Sequence, residues 1–133
     1  MAASVEAVVL VPALLLFVGL LLSLARLALA DQHVGAAASA AARAAALERT
    51  VPAAQRAAGE ALTAALAEHN VSCRTLDTTV DVRGVARALG TSASVSVKVT
   101  CAVELSDVSL PFVPGAVSVA ATRDAPVDPL RGR

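Results

Sequence analysis

The sequence is almost free of aromatic side chains, with two Phe, no Trp and no Tyr in 133 residues. This composition argues against base-stacking platforms and aromatic ligand cages. There is no surplus of either charge, because 11 basic residues balance 11 acidic ones. A nucleic-acid partner requires excess Lys and Arg to neutralise phosphates, so we expect none. Two Cys and two His are too few to form a zinc site alone, and we predict no bound metal.

Catalytic and cofactor-binding motifs are missing as well. The sequence contains no GxSxG elbow, no Walker loop, no GxGxxG and no HExxH. His33 and His69 lie far apart in the chain, and each is predicted to be solvated on a helix surface. Asp77 and Asp81 are predicted to lie on the wet face of a strand, and Arg83 is predicted to be a loop charge. We therefore predict neither an enzyme nor a cofactor.

A long hydrophobic run stands near the N-terminus, where the 19 residues from Ala7 to Ala25 carry no charge. As a helix they span roughly 28 Å, close to the ~30 Å hydrocarbon core of a bilayer. Inside lipid such a segment has to be helical, because its backbone polar groups find no other partners. We favour a membrane-spanning helix. The alternatives are a buried core helix and a cleaved secretory signal ending at Ala28–Ala30.

Two residues in or beside this run are unusual for a lipid-facing helix. Glu6 stands at its edge with no basic neighbour in the sequence. A carboxylate near lipid is costly unless it is protonated or paired, so Glu6 either lies among headgroups or pairs with a cation from another chain. Pro12 removes one helical hydrogen bond and is expected to loosen the helix near Ala7 and Val8.

The middle of the chain is rich in alanine, the residue with the best intrinsic helix propensity, and 24 of the 32 alanines precede position 68. We predict that the first helix continues to about Glu48 and is weakened at Gly35. One stripe of small residues allows close approach of another helix: Ala37, Ala41, Ala44 and Ala45. Thr50 is expected to cap a second helix with Pro52 in its first turn, and His69-Asn70 to end it.

Beyond residue 70 the composition changes to Val, Thr and Ser, which is typical of strands. The segment Ser94–Leu105 alternates cleanly between apolar and polar side chains, while Val71–Val82 and Ala116–Thr122 are weaker candidates. Loops are predicted over Arg83–Thr91 and Ser106–Gly115. Short connections favour an antiparallel three-stranded meander. We expect the helix ending near residue 68 to cover its apolar face.

Both cysteines, Cys73 and Cys101, fall in adjacent predicted strands, where their side chains can share the buried face. A disulfide would close a loop of about 28 residues and contribute roughly 3 kcal/mol. We favour it over free buried thiols, because the domain is small and a preceding membrane span would place it outside the cytosol.

The predicted class is α+β, with a long N-terminal helix, a second helix, and a small antiparallel three-stranded sheet carrying one disulfide. By residue number, 1–26 form a transmembrane helix and 27–70 an alanine-rich helical stalk with a break near 50–52. Residues 71–124 form an extracytoplasmic β domain, and 125–133 a flexible C-terminal tail.

The segment Ser4–Leu22, SVEAVVLVPALLLFVGLLL, resembles the start of TadE-family proteins. These are pilin-like components of the tight-adherence (Tad, or Flp) branch of type IV pili. The shared pattern is a small residue, Val-Glu, a Pro six residues after Glu6, and a Leu-rich run. An Ala/Arg-rich helix, strands with a Cys pair, and a tail like those of actinobacterial members (Ala125–Arg131) extend the resemblance over essentially the whole chain.

The resemblance implies a pilin-like subunit of the cytoplasmic membrane, with its N-terminus inside and its β domain outside the cytoplasm. It implies partners among other pilin-like subunits and the pilus assembly platform, and a prepilin peptidase that removes a leader. In such families the glutamate near the mature N-terminus pairs with the terminal amine of a neighbouring subunit, and Glu6 is the matching residue.

The start of the sequence departs from the family, whose members usually have a basic leader ending in a small residue. This sequence begins Met-Ala-Ala-Ser. We expect either a leader encoded further upstream or a subunit that the peptidase does not process. Arg26 and Arg43 follow the span with no Lys or Arg before it, which favours the opposite orientation under the positive-inside rule. A basic leader would reverse that preference.

We therefore predict a structural or assembly subunit of a Tad-type pilus that packs its N-terminal helix against other pilin-like subunits. The alternative is a membrane-anchored extracytoplasmic binding module whose helix is a plain anchor.

Overall fold

The computed structural model describes residues 2–104 and 115–130, which form two long helices and three strands with one short 3-10 helix. The predicted class is confirmed: a long N-terminal helix, a second helix and an antiparallel three-stranded sheet with one disulfide. The predicted loop at 106–114, the predicted strand end Leu105 and the tail residues 131–133 lie outside the described residues. In chain order the elements are α1 (Ala2–Ala46), α2 (Val51–Glu68), β1 (Thr75–Asp81), the 3-10 helix (Arg83–Ala86), β2 (Ala93–Glu104) and β3 (Ala116–Val127).

The helix α1 is one uninterrupted element of 45 residues, roughly 68 Å long. Alanine and leucine dominate it, and both are strong helix formers. Pro12 lies inside the helix without ending it, although its ring nitrogen cannot donate to the carbonyl of Val8. The uncharged run and the alanine-rich segment that follows therefore form a single continuous rod.

A tight turn at residues 47–50 separates α1 from α2. The side-chain oxygen of Thr50 accepts a hydrogen bond from the Ala53 N–H at 3.3 Å, which satisfies one of the free donors at the start of α2. Pro52 lies in the first helical turn, where a missing N–H costs nothing. The predicted stop and restart are confirmed at these residues.

The end of α2 is a left-handed cap. Asn70 adopts a positive φ of 55°, a conformation that Asn tolerates better than most residues. The N–H groups of Asn70 and Val71 donate to the carbonyls of Ala67 and Leu66 at 3.1 and 2.9 Å. These bonds reverse the chain direction and end α2 where His69-Asn70 predicted an end.

The sheet has the order β1–β2–β3, and both pairs of strands are antiparallel, as the predicted meander requires. Alternate residues of β2 point into the core and are buried, from Val95 to Val103. The first strand is shorter than predicted: it begins at Thr75 rather than Val71. Val71 is instead bonded to the last turn of α2.

The third strand is longer than predicted, because it continues past Thr122 to Val127. Ala125 and Val127 are buried and pair with residues of β2. Residues 125–127 therefore belong to the sheet, and their assignment to a flexible tail is corrected. The proline in this stretch, Pro126, interrupts the strand pattern in the sequence, yet an edge strand tolerates a proline because one side of its backbone is unpaired.

The helix that covers the sheet is α1, so the expectation that α2 covers it is wrong. The second half of α1 packs on β2 and β3, and α2 packs on the outside of α1 and on the 3-10 helix. Small side chains let α1 approach two neighbours closely, and it is buried on both sides. Its buried hydrophobic residues are Val34, Ala37, Ala38, Ala41, Ala42, Ala45 and Ala46.

Gly35 marks the place where an arginine from the sheet crosses α1. Arg123 pairs with Val97 in the register of the sheet, so its side chain leaves β3 on the face towards the helices. A Cβ atom at Gly35 would lie only 2.7 Å from the Arg123 Nη2 atom. The glycine that the sequence marked only as a weak point of the helix makes room for this guanidinium.

The disulfide Cys73–Cys101 is present, with a Cα–Cα distance of 5.3 Å, which confirms the pairing. Cys101 is fully buried on the inner face of β2. Cys73 was predicted to lie within β1, but it lies just before it, because the strand begins two residues later at Thr75. The bridge ties the connection between α2 and β1 to the centre of the sheet.

The predicted loop over Arg83–Thr91 contains the 3-10 helix and closes one end of the core. Val85 is buried there. Gly84 runs so close to the Ser94 carbonyl that no side chain fits between them. The Gly90 N–H donates to the Pro129 carbonyl at 2.8 Å, which joins this connection to the residues after β3.

Candidate functional site

The first half of α1 lies outside the packed domain. Every residue from Ala3 to Leu22 is exposed, and large side chains such as Leu16 and Val8 keep 76% and 72% of their surface. Monomeric soluble proteins rarely leave so extended an apolar surface uncovered. We call residues 3–25 the apolar segment. The alternative of a buried core helix does not hold, since this segment packs against no other described element.

The apolar segment has the length and composition of a membrane-crossing helix. The candidate span runs from Ala3 to Ala46 with a mean hydropathy of 2.8 in its most apolar window, and only 6% of that window is buried in the chain. An N-terminal helix of this kind is suited to be a membrane anchor.

Glu6 lies in the second turn of α1, on the exposed apolar segment. One turn further along the helix its neighbours are Val9 and Leu10, which are also exposed. Within residues 2–104 and 115–130, neither of the two salt bridges involves Glu6. The carboxylate is therefore surrounded by apolar side chains, and the described residues supply no cation to it.

Pro12 lies on the same segment as Glu6 but on another side of the helix. Six residues correspond to about 9 Å along the axis and to about 240° of rotation. The two residues therefore cannot contact one partner atom together, and any role of Pro12 acts through the backbone of the helix.

The two histidines, each predicted to be solvated on a helix surface, are half-buried (His33) and exposed (His69). They also stack on each other, a contact that the sequence did not predict. The ring centroids of His33 and His69 lie 4.4 Å apart with an interplanar angle of 8°. The cause is the helical hairpin, because residues at similar distances on either side of the turn at 47–50 come together. The sequence did carry a signal for this contact, because the two histidines lie at almost equal distances along the chain from the predicted helix break near residues 50–52.

Asp81 forms an ion pair with Arg83, which was predicted to be a loop charge. The Arg83 Nε and Nη2 atoms donate to the two carboxylate oxygens of Asp81 at 3.0 and 2.7 Å. These side-chain hydrogen bonds, together with one from the Arg83 backbone N–H, lower the pKa of Asp81 to about 2. Both side chains are solvent-exposed, so the pair shapes the turn after β1 and contributes little stability.

Asp77 stays apart from this pair, on the outer face of β1, where it is exposed to solvent. The predicted wet face of the strand is thereby confirmed for Asp77. The described residues bring together no group of three or more His, Cys, Asp or Glu side chains that would hold a metal ion.

The similarity of this chain to known proteins lies in the same helix, α1. Neither the curated proteins nor the solved structures contain a match to this chain. A family model described as TadE-like protein matches residues 1–43, which is the apolar segment and most of the buried half of α1. Over this range the chain is similar to TadE-like proteins, and the matched part is the helix that carries Glu6 and Pro12.

Proposed function

We propose that this protein is a pilin-like structural or assembly subunit of a Tad-type pilus. The observation that carries the proposal is the apolar segment, exposed from Ala3 to Leu22 and continuous with the helix at the centre of the folded domain. The match of residues 1–43 to TadE-like proteins supports it. The role needs neither catalysis nor a cofactor.

Two surroundings suit the apolar segment, namely lipid and the helices of other subunits. Both keep the Leu and Val side chains out of water, which is the main driving force for either state. In this proposal the segment spans the cytoplasmic membrane before assembly and then packs against pilin-like helices in the pilus. Because α1 is unbroken, the orientation of that segment also sets the orientation of the domain.

Glu6 provides the specific contact of the proposed assembly. A carboxylate in apolar surroundings favours a cation at about 4 Å, and a low dielectric strengthens the attraction. The proposed cation is the terminal amine of a neighbouring subunit. Pro12 leaves the Val8 carbonyl without its helical donor, which softens this end of the helix for its extraction from lipid.

The proposed topology places the N-terminus in the cytoplasm and the β domain on the other side of the membrane. The Cys73–Cys101 bridge supports this orientation, because disulfides persist in oxidising compartments and are rare in the cytosol.

The test compares Glu6→Ala with Glu60→Ala, which removes an exposed carboxylate from α2. Both variants should insert into the membrane like the native protein. Glu6→Ala should lose co-purification with the other pilus subunits, whereas Glu60→Ala should retain it. Unchanged co-purification of Glu6→Ala defeats the proposed pairing.

The alternative function is a membrane-anchored binding module, and the self-contained core of residues 34–127 favours it. Replacing residues 3–25 by an unrelated transmembrane helix of equal length keeps the helical register of the packed half. If the native helix is a plain anchor, the protein retains its binding activity after this exchange. A pilus subunit loses its place in the fibre, which electron microscopy of assembled pili detects.

A secreted protein is the third possibility, and N-terminal sequencing of the mature protein decides it. Cleavage after Ala30 would cut α1 within its continuous helical stretch. An intact apolar segment in the mature protein excludes this form.

A further inference from the structure

A cavity of about 450 Å³ opens where α1 leaves the apolar segment. One wall is α1 directly after the uncharged run, and the opposite wall is the connection from α2 to β1. The lining residues are Arg26, Leu29, Ala30, His33, His69, Asn70, Val71, Ser72 and Val103. Five of these nine residues are polar and four are apolar, and a concave site of this size can hold a small molecule.

The polar groups of the cavity suit an anion. Arg26 is a permanent cation, and among the described lining residues there is no acid. Within residues 2–104 and 115–130, neither salt bridge involves Arg26. Glu104 follows the lining residue Val103, but it lies on the opposite face of β2, 4.0 Å from Arg74.

The stacked histidines add hydrogen-bond donors at fixed positions. Each neutral imidazole has one N–H donor, and the stack of His33 on His69 restrains the orientation of both rings. The amide of Asn70 and the hydroxyl of Ser72 add further donors along the same wall. An anion in the cavity therefore meets donors from both helices.

The C-terminal end of α2 borders the cavity, and helix C-termini normally disfavour anions. Here most of the four carbonyls of the last turn are already occupied. The N–H groups of His69, Asn70 and Val71 donate to three of them. Their partial negative charge is thereby offset at the cavity wall.

The depth of the cavity relative to the apolar segment indicates where the anion comes from, provided that this segment lies in a bilayer as proposed above. Arg26 directly follows the uncharged run, and His33 lies about 10 Å further along the helix. The headgroup layer on each side of the hydrocarbon core is about 5–8 Å thick. The Arg26 end of the cavity therefore lies at the depth of the lipid headgroups, and the His33 end lies just beyond them.

We propose that this cavity binds the phosphate group of a membrane phospholipid. The planar guanidinium of Arg26 matches phosphate oxygens in a bidentate contact, and the imidazole N–H groups of His33 and His69 bond the remaining oxygens. Leu29 and Val71 contact the glycerol and the first acyl carbons. The bound lipid fixes the domain at a defined height and rotation on the membrane surface.

The test uses the full-length protein in uncharged detergent micelles and dihexanoyl-phosphatidylglycerol as the probe, with isothermal titration calorimetry. Arg26→Gln should weaken binding by about tenfold or more, the effect expected for losing hydrogen bonds to a charged group. The control Arg43→Gln removes an exposed cation from the same helix, outside the cavity, and should leave the affinity unchanged. Circular dichroism checks that both variants are folded.

Two further ligands separate the source of the anion. Dihexanoylglycerol lacks the phosphate, and inorganic phosphate lacks the lipid; both should bind at least about tenfold more weakly than the probe. Addition of the probe should also shift the imidazole ¹⁵N resonances of His33 and His69. Equal affinity of Arg26→Gln and the native protein overturns the site, and inorganic phosphate binding as tightly as the probe overturns its assignment to a lipid.

This experiment does not depend on pilus assembly. If lipid binding is observed but Glu6→Ala still co-purifies with pilus subunits, only the proposed pairing of Glu6 is contradicted. If lipid binding is absent but Glu6→Ala loses co-purification as expected, only the cavity proposal is contradicted.

Discussion

The two halves of α1 belong to one continuous helix and yet have opposite surroundings. The first half carries the large apolar side chains, Leu and Val, and exposes them. The second half carries mostly alanine and is buried between the sheet and α2. The more hydrophobic half is thus the one that the chain leaves uncovered, so hydrophobicity alone does not decide which half enters the core.

Side-chain size accounts for this difference. Alanine lets a helix approach a sheet on one side and a second helix on the other, which the packed half of α1 requires. Burying a Leu or Val side chain is worth about 1.5–3 kcal/mol relative to exposing it. In the apolar segment this free energy is not used within the chain, and it remains to drive insertion into lipid or packing against other subunits.

The variant expected to distinguish the two halves of α1 most strongly removes the disulfide, which lies only in the packed domain. Replacing both Cys73 and Cys101 by Ala should lower the free energy of unfolding of the domain by about 3 kcal/mol, because the unfolded chain regains the freedom of the loop of 28 residues. Residues 3–25 should keep the same amide exchange rates in detergent. Urea unfolding and hydrogen exchange measure the two effects.

The control is Ser118→Ala on the exposed face of β3, which should change the stability by less than about 0.5 kcal/mol. If exchange in residues 3–25 accelerates together with the domain in the cysteine variant, the two halves are not independent and the comparison fails.

The second test changes the size of one side chain in each half of α1. Ala41 is fully buried, and Ala41→Leu should destabilise the domain by about 1–3 kcal/mol, because the added carbons have no space between α1 and its neighbours. Leu15→Ala in the apolar segment should change the stability by less than about 0.5 kcal/mol. Chemical unfolding followed by circular dichroism measures both variants. Equal effects would show that the packed half is not tightly packed.

The smallest expected effect concerns Gly35 and Arg123. Ala is about 0.5–1 kcal/mol more favourable than Gly within a helix, but its Cβ displaces the guanidinium that lies over Gly35. Gly35→Ala should therefore gain this stability in full only when Arg123 is also replaced by Ala. A double-mutant cycle measures the coupling between the two sites. Additive changes would mean that Arg123 does not require the glycine.

Much of the local structure was predictable because it depends on neighbouring residues. The helix break followed from Thr50 and Pro52, the strand β2 from its alternation, and the disulfide from two cysteines in adjacent predicted strands. The long helix followed from alanine and leucine propensity. These signals lie within a few residues of the structures they specify, so they are visible in the sequence.

Other features escaped because they depend on contacts between distant parts of the chain. The end of β3 was missed, since Arg123 and Pro126 interrupt the apolar alternation and only pairing with β2 reveals the strand. The stack of His33 on His69 was missed because it requires the helical hairpin to close. The roles of Glu6 and Pro12 stay predictions, since they concern subunits other than this one.

The sequence by itself determined the order of the elements, the membrane-compatible first helix and the partners in the disulfide, because propensity, hydrophobic periodicity and chain connectivity act locally. Only the tertiary structure decided that α1 rather than α2 covers the sheet, that Gly35 admits Arg123, and that Arg26 meets two histidines around one cavity. Each of these depends on how closely two surfaces approach, which is set by packing among residues far apart in the chain.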